Sequence, residues 1–346
     1  MNKKLVSLGL ASTLLLTLGA CSNRSQKSNE AKLKVAMVTD QGGIDDKSFN
    51  QSAWEGLQAW GKSQGLKKGS GFDYFQTSSE SEYMTNLDTA ATSGYNLIFG
   101  IGFGLRDSIE KAASENTDTH YAIVDDVIEG KDNVAGVTFA DNEAAYLAGV
   151  AAAKTTQSKQ IGFVGGMEGV VVKRFEEGFK AGVTSVDPSI KVSVAYAGSF
   201  ADAAKGKTIA AVQYANGADV IYQAAGGTGA GVFNEAKSVN ENRNASDKVW
   251  VIGVDRDQEP EGNYTSKDGK KENFVLTSSI KEVGQALNKI ATAADLGKFP
   301  GGKITTFGLK EGGVNLTSDK LPKEVKKAVE DAKKAIVYGK ITVPEK

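Results

Sequence analysis

Carboxylates placed at the ends of short apolar runs are the first residues in this chain that could do chemistry. Asp40 follows Val35-Ala36-Met37-Val38, Asp125-Asp126 follows Tyr121-Ala122-Ile123-Val124, and Asp255 follows Val251-Ile252-Gly253-Val254. Glycine-rich turns occupy the same kind of position: Gln41-Gly42-Gly43, Gly100-Ile101-Gly102-Phe103-Gly104 and Ala224-Ala225-Gly226-Gly227-Thr228-Gly229. Carboxylates accept hydrogen bonds from hydroxyls, and glycine lets backbone N–H groups come close, so the set suits a small polyhydroxylated ligand. No nucleophile–base pair accompanies these acids, and the single His120 precedes a strand rather than ending one. A hydrolytic enzyme is disfavoured on that ground.

Other motifs fail on spacing. Gly206-Lys207-Thr208 ends like a phosphate loop, but the glycine needed five residues earlier is Ala201. Gly100-x-Gly102-x-Gly104 and Gly227-x-Gly229-x-Gly231 lack the Gly-x-Gly-x-x-Gly spacing of a dinucleotide loop. In Asp255-x-Asp257-x-Glu259 the sixth position is Pro260, where a calcium loop needs glycine. One histidine and one cysteine exclude a two-imidazole metal site and an intramolecular disulfide. No cofactor or metal is expected.

The elements that must position the acids follow from periodicity. Short apolar runs at 35–38, 96–99, 121–124, 161–164, 192–195, 220–222 and 249–252 read as strands. Stretches such as Phe49 to Trp60, with Phe49, Trp54, Leu57 and Trp60 at helical spacing, and Ala144 to Ala153 read as helices between them. That alternation predicts parallel sheets with helices on both faces, whose ligands bind beyond the carboxyl ends of the strands. An internal echo predicts two similar halves: Met37-Val38 followed by Trp54-Glu55-Gly56-Leu57 matches Phe163-Val164 followed by Phe175-Glu176-Glu177-Gly178-Phe179. The first half has the longer loop after its first strand. The Lys-rich stretch from Pro322 to Tyr338 reads as a solvated amphipathic helix.

With 346 residues, 40% hydrophobic content and 40 glycines, the chain can fill two cores and make many tight turns. Its 41 basic and 42 acidic residues balance almost evenly, with no basic run, which argues against nucleic acid as a partner. Residues 1–20 read as a targeting segment: Lys3 and Lys4 precede an apolar stretch, Leu5 to Leu18, too short to span a bilayer as a stop-transfer helix. Leu18-Gly19-Ala20-Cys21 resembles the bacterial lipobox, in which the cysteine is acylated and becomes the first residue of the mature protein. Residues 1–20 carry two lysines and no acid, so taking them from a net charge of −1 leaves −3. Residues 21–31, polar and flexible in composition, read as a tether.

Four motifs carry a family resemblance. Asp40-Gln41-Gly42-Gly43-Ile44-Asp45-Asp46-Lys47-Ser48-Phe49-Asn50-Gln51, Ala224-Ala225-Gly226-Gly227-Thr228-Gly229, Ile252-Gly253-Val254-Asp255 and Thr277-Ser278-Ser279-Ile280-Lys281 resemble those of the basic-membrane-protein family of substrate-binding lipoproteins. The match looks closest to its purine nucleoside receptors and covers nearly the whole mature chain. The resemblance implies an α/β type I periplasmic-binding-protein fold, two doubly wound lobes joined by a hinge with the ligand cleft between them. It also implies delivery of nucleosides (guanosine, adenosine or inosine, pyrimidine nucleosides being open) to the permease and ATPase of an ABC importer, by a monomer held to the membrane through lipidated Cys21. Lobe 1 is expected over 32–138, completed by about 256–300, and lobe 2 over 139–255, completed by about 301–346.

Carried over by position, the resemblance implies that Phe49 and Tyr222 sandwich the base, that Asn50 and Asp125 touch its edge, and that Asp40, Asp255, Lys281 and the turn at Gly227 hold the ribose. Which acid meets base and which meets sugar stays open. Apart from the resemblance, Phe49 would be plain core, Tyr222 would cap the core with its hydroxyl at the rim, and Asp40 and Asp255 would cap turns. Lys281, at the head of a helix where the dipole disfavours a cation, calls for another motive, and a ligand is one. A pentose or another small polar signalling ligand would use the acids but has less need of two facing aromatics. A surface sensor or adhesin would share the fold.

Overall fold

The computed structural model describes residues 33–346, and Cys21, the lipobox and the tether lie outside the described residues. Residues Leu33–Lys346 form one unit. In chain order its elements begin with β1 (Val35–Val38), α1 (Phe49–Ser63), β2 (Phe72–Phe75), α2 (Tyr83–Thr92), β3 (Leu97–Ile101), α3 (Arg106–Glu115), β4 (His120–Val124) and β5 (Val134–Phe139). They continue with α4 (Asp141–Thr155), β6 (Gln160–Gly165), α5 (Val170–Val186), β7 (Lys191–Tyr196), α6 (Ala203–Ala215), β8 (Val220–Ala224), α7 (Gly229–Glu241) and β9 (Trp250–Asp255). A short hairpin of β10 (Asn263–Thr265) and β11 (Lys271–Asn273) precedes β12 (Val275–Lys281), α8 (Val283–Asp295), β13 (Ile304–Phe307), β14 (Val314–Leu316) and α9 (Lys323–Val337).

Two six-stranded sheets result, ordered β13-β5-β4-β3-β1-β2 and β14-β12-β9-β8-β6-β7. All neighbours are parallel except β12 and β14. The parallel strands have helices on both faces, which is why β1, β3 and β8 are buried along their whole length. The sheets correspond strand for strand, β1 with β6, β3 with β8, β4 with β9 and β5 with β12. That is the two-halved architecture the sequence echo predicts.

The chain divides between lobes differently from the sequence expectation. Residues 256–281 do not complete lobe 1: the hairpin and β12 follow β9 in lobe 2, where β12 pairs with β9. Helix α8 then packs on α1, and β13 pairs with β5, so 283–307 completes lobe 1. The chain returns to lobe 2 with β14 and α9. Three crossings therefore join the lobes, after Phe139, Lys281 and Phe307. Hydropathy marks strands but not the sheet they join.

Gly56 and Gly178, the glycines of the internal echo, have one reason in common. A Cβ on Gly56 would sit 2.2 Å from Gly284 Cα, and one on Gly178 would sit 2.3 Å from the Asn142 carbonyl oxygen. Each lets the first helix of its lobe lie directly on the backbone of a crossover helix, α8 or α4. Helix α9 buries Val325, Val329 and Ile336 against α4 and leaves most of its lysines in solvent, as its pattern predicts.

Candidate functional site

The loop between β1 and α1 is built around one carboxylate. Asp46 Oδ1 accepts the N–H groups of Ser48 (2.8 Å) and Gln51 (3.1 Å), and Oδ2 accepts the Asn50 N–H (2.9 Å) and Asn50 Nδ2 (2.9 Å). These include donors that a helix N-terminus leaves without intrahelical partners, so Asp46 anchors α1 from three residues before its first turn. The same geometry turns Phe49 and Asn50 toward the cleft between lobes. Asn50 Nδ2 also donates to Asp40 Oδ1 (2.6 Å), which accepts the Gly42 N–H as well (2.8 Å).

The cleft closes around a cavity with about 820 Å³ of non-protein space, part of it open to solvent. Six of the eight residues singled out in the sequence line it: Asp40, Phe49, Asn50, Asp125, Asp255 and Lys281. Tyr222 does not. It is wholly buried within β8, 4.9 Å from the Phe179 ring and 5.7 Å from Phe163, with its hydroxyl hydrogen-bonded to Ser279 (2.7 Å). Side chains alternate along a strand, and Tyr222, two residues before the strand end, lies too deep to reach the ligand side. Its hydroxyl finds a partner in the core rather than at the rim. In the turn that follows, Gly226 lines the cavity and Gly227 does not.

Lobe 2 instead supplies Phe175 and Phe200, and lobe 1 adds Phe103 and Tyr83. Phe175 is nearly enclosed, while Phe200 is half-buried. A Cβ on Gly166 would lie 2.3 Å from Phe200 Cδ1, so the missing side chain is what lets the ring rest on that backbone. Phe200 lies in the loop after β7, on the ligand side of the sheet, where an aromatic is as informative as an acid. Asp141, at the start of α4, carries no comparable signal.

Lys281 ends β12 rather than entering a helix, and only 3% of it is exposed. Its Nζ meets Asp125 Oδ2 at 2.7 Å and Asp141 at 3.2 Å, and stands 5.2 Å from the Phe49 ring centre, 5.0 Å from Phe139 and 5.6 Å from Phe175. Burial alone would lower its pKa, but Asp125, Asp141 and Asp255 together hold it up at about 12. One ammonium cannot neutralise three buried carboxylates. Burial accordingly pushes Asp141 and Asp255 up to about 7, partly offset by Lys281, and pushes Asp40 up to about 6.

Contacts between the lobes surround these groups. Ser48 Oγ donates to Asp255 Oδ2, Gln258 Nε2 donates to the Lys47 carbonyl (2.9 Å), and Arg256 pairs with Glu55 (3.0 Å). Two buried acceptors in the cavity wall, Asn50 Oδ1 and Asp125 Oδ1, have no partner among the described residues. Such atoms are costly to bury unpaired, and a ligand carrying N–H or O–H donors would satisfy them. His120 opens β4 and stacks on Phe299, rings 4.2 Å apart, and does not line the cavity.

Comparison with known proteins adds four likenesses. A family model described as ABC transporter substrate-binding protein, PnrA-like, matches residues 33–346. The chain is 54% identical to the "ABC transporter nucleoside-binding protein BmpA" of Lactococcus lactis, with all of both chains covered, and 35% identical to "Basic membrane protein A" of Borreliella burgdorferi, with 99% of this chain and 96% of that one covered. A solved solute-binding protein of an Aeropyrum pernix ABC transporter superposes with a TM-score of 0.75 at 28% identity, covering 91% of this chain and 94% of its own.

Proposed function

The chain belongs to the Bmp family of PnrA-like ABC transporter substrate-binding proteins, and from that premise we propose that it captures purine ribonucleosides and hands them to the permease and ATPase of an importer. Its fold is that of type I periplasmic binding proteins, and its family consists of binding proteins rather than enzymes. Among the described residues no helix is long and apolar enough to cross a membrane. In the proposed reading the protein works on the extracytoplasmic face, held there by a lipid on Cys21.

The observation that carries the ligand assignment is the pair of unpartnered acceptors, Asn50 Oδ1 and Asp125 Oδ1, in a cavity with aromatic rings from both lobes. Aromatic faces stack on a base, and buried acceptors read N–H groups on its edge. Phe49 and Phe200 are the proposed stacking pair, Phe200 replacing Tyr222 in that role. Asp40, Asp255 and Lys281 are the proposed sugar contacts, since ionised groups make the stronger hydrogen bonds to hydroxyls. The nucleoside-binding relative at 54% identity supports the same ligand class. A pentose would use the carboxylates and leave the aromatic walls without a stacking partner.

Mass spectrometry of small molecules released from the denatured protein tests the reading directly. Calorimetry with guanosine, adenosine, inosine, uridine, cytidine and ribose then ranks the classes. A purine nucleoside should be both the released molecule and the tightest ligand, and tight ribose binding without nucleoside binding would overturn the assignment.

A further inference from the structure

Asp46 lies in the cavity wall, yet its carboxylate has nothing left to offer a ligand. Its two oxygens accept four N–H groups between 2.8 and 3.1 Å, which fills the lone-pair sites of a carboxylate. One of those donors is the side-chain amide of Asn50, and the amide's other hydrogen goes to Asp40 at 2.6 Å. Asn50 is buried, its Oδ1 has no partner among the described residues, and it borders the cavity. Turning the amide over would set Oδ1 against two carboxylates at hydrogen-bond distance. Electrostatics forbids that, so the orientation follows from the chemistry of the neighbours.

We infer that Asp46 is a positioning residue which, with Asp40, consumes both amide hydrogens of Asn50 and so presents the cavity with an acceptor alone, making the protein select purines that offer an N–H there. An asparagine free to rotate would read either a donor or an acceptor on the base and discriminate little. A clamped one reads only a donor. Asp125, whose free Oδ1 faces the same cavity while Oδ2 holds Lys281, adds a second acceptor of the same sense. The selectivity thus comes from a residue that touches no ligand, and it rests on the nucleoside reading above.

Inosine and purine riboside separate the possibilities, since inosine carries a ring N–H at N1 and purine riboside has no N–H on its base. By calorimetry the full protein should bind inosine at least tenfold more tightly, a difference of about 1.4 kcal/mol. In Asp46→Asn only Asp40 still fixes the amide of residue 50, because an amide at position 46 can face either of its ends, and the ratio should fall to about threefold. Loss of a merely structural anchor would weaken both ligands alike and preserve the ratio, which would overturn the inference. Asn50→Ala removes the acceptor and keeps Asp46 on the helix terminus, so it should collapse the same ratio even if Asp46→Asn does not fold. Equal binding of the two nucleosides by the parent would also overturn the inference while leaving the nucleoside reading intact. Failure of every nucleoside to bind would overturn that reading, and the inference with it.

Discussion

Asp125 and Asp255 stand at corresponding strand ends, one directly following β4 in lobe 1 and the other closing β9 in lobe 2, and both hold left-handed backbone, with φ of 70° and 67°. Each carboxylate is met from the opposite lobe: Asp125 by Lys281 of lobe 2, Asp255 by Ser48 of lobe 1. The conformation costs about 1–3 kcal/mol for a residue with a side chain, and aspartate tolerates it better than most. The duplicated strand ends therefore act as a reciprocal clasp across the cleft.

Removing the cation at the centre of that clasp should be severe. Lys281→Met leaves Asp125 and Asp141 buried without their counter-charge, a change worth about 3–5 kcal/mol when one partner of a buried pair is lost. Thermal unfolding at pH 7.5 should show it. The folded pKa of Lys281 is raised to about 12, so its contribution is complete below the ordinary lysine pKa and is lost only as pH rises through 12. A melting temperature equal to the parent's would show that the ion pairs contribute nothing.

Acidification should move stability and affinity in opposite directions. Asp255 is raised to about 7 and Asp40 to about 6, so the fold holds these protons more tightly than the unfolded chain does. Their stabilising contribution is full below the ordinary carboxylate pKa near 4 and is lost as pH rises through 6 to 7. Melts of the ligand-free protein should therefore gain stability from pH 8 to pH 6. Sugar hydroxyls bind the ionised carboxylates better, so nucleoside affinity should fall over the same interval. Asp255→Asn should reduce both slopes without abolishing the stability slope, to which Asp141, raised to about 7, and Asp40 also contribute, and a parent with no slope in either would refute the assignment.

Stacking makes a third prediction. Phe49→Ala and Phe200→Ala should each lose about 1–3 kcal/mol of nucleoside affinity, or about five- to 150-fold, with circular dichroism unchanged. Tyr222→Phe, which keeps the core ring and loses only its bond to Ser279, should leave affinity within about twofold. Should Phe200→Ala bind like the parent, Phe175 becomes the facing ring.

Sugar recognition is read by comparing ribonucleoside, deoxynucleoside and free base. Hydrogen bonds to a charged acceptor contribute about 1.5–3 kcal/mol, so the free base should bind at least about tenfold more weakly. Asp255→Asn should narrow that gap. Equal weakening of nucleoside and base would assign Asp255 to lobe closure through Ser48 instead.

For the anchor, Cys21→Ala should release the protein from the membrane fraction or leave its precursor uncleaved. Two acyl chains suffice for stable attachment where one does not. Unchanged processing and fractionation would remove Cys21 from the mechanism.

Much of this was legible in the sequence because strand ends announce themselves. A buried parallel strand reads as a short apolar run, and whatever polar residue follows it stands at the ligand side of the sheet, which is how Asp40, Asp125 and Asp255 could be named. The carry-over by position fails at Tyr222 because β8 continues through Gln223 and Ala224, which leaves that ring inside the core. Asp46 and Asp141 carry no strand-end signal: Asp46 acts inside its own loop, on Ser48, Asn50 and Gln51, where it reads as a turn residue, and the partner of Asp141, Lys281, lies 140 residues away, which no local pattern encodes. The placement of 256–281 in lobe 2 and of β13 in lobe 1 was hidden likewise, since strand pairing is a long-range contact.

The three crossings between lobes also fix an order of assembly. Sheet 1 receives its edge strand β13 only at residues 304–307, although its neighbour β5 ended at Phe139, and sheet 2 receives β14 later still. Neither lobe is a continuous stretch that can mature while the rest of the chain is being made. Closing so long a loop is slow, because its entropy must be given up before the pairing returns any stabilisation. A chain shortened by its last few dozen residues would therefore lack an edge strand in both sheets at once, and the two halves of the binding cleft come into being together, at the end of synthesis.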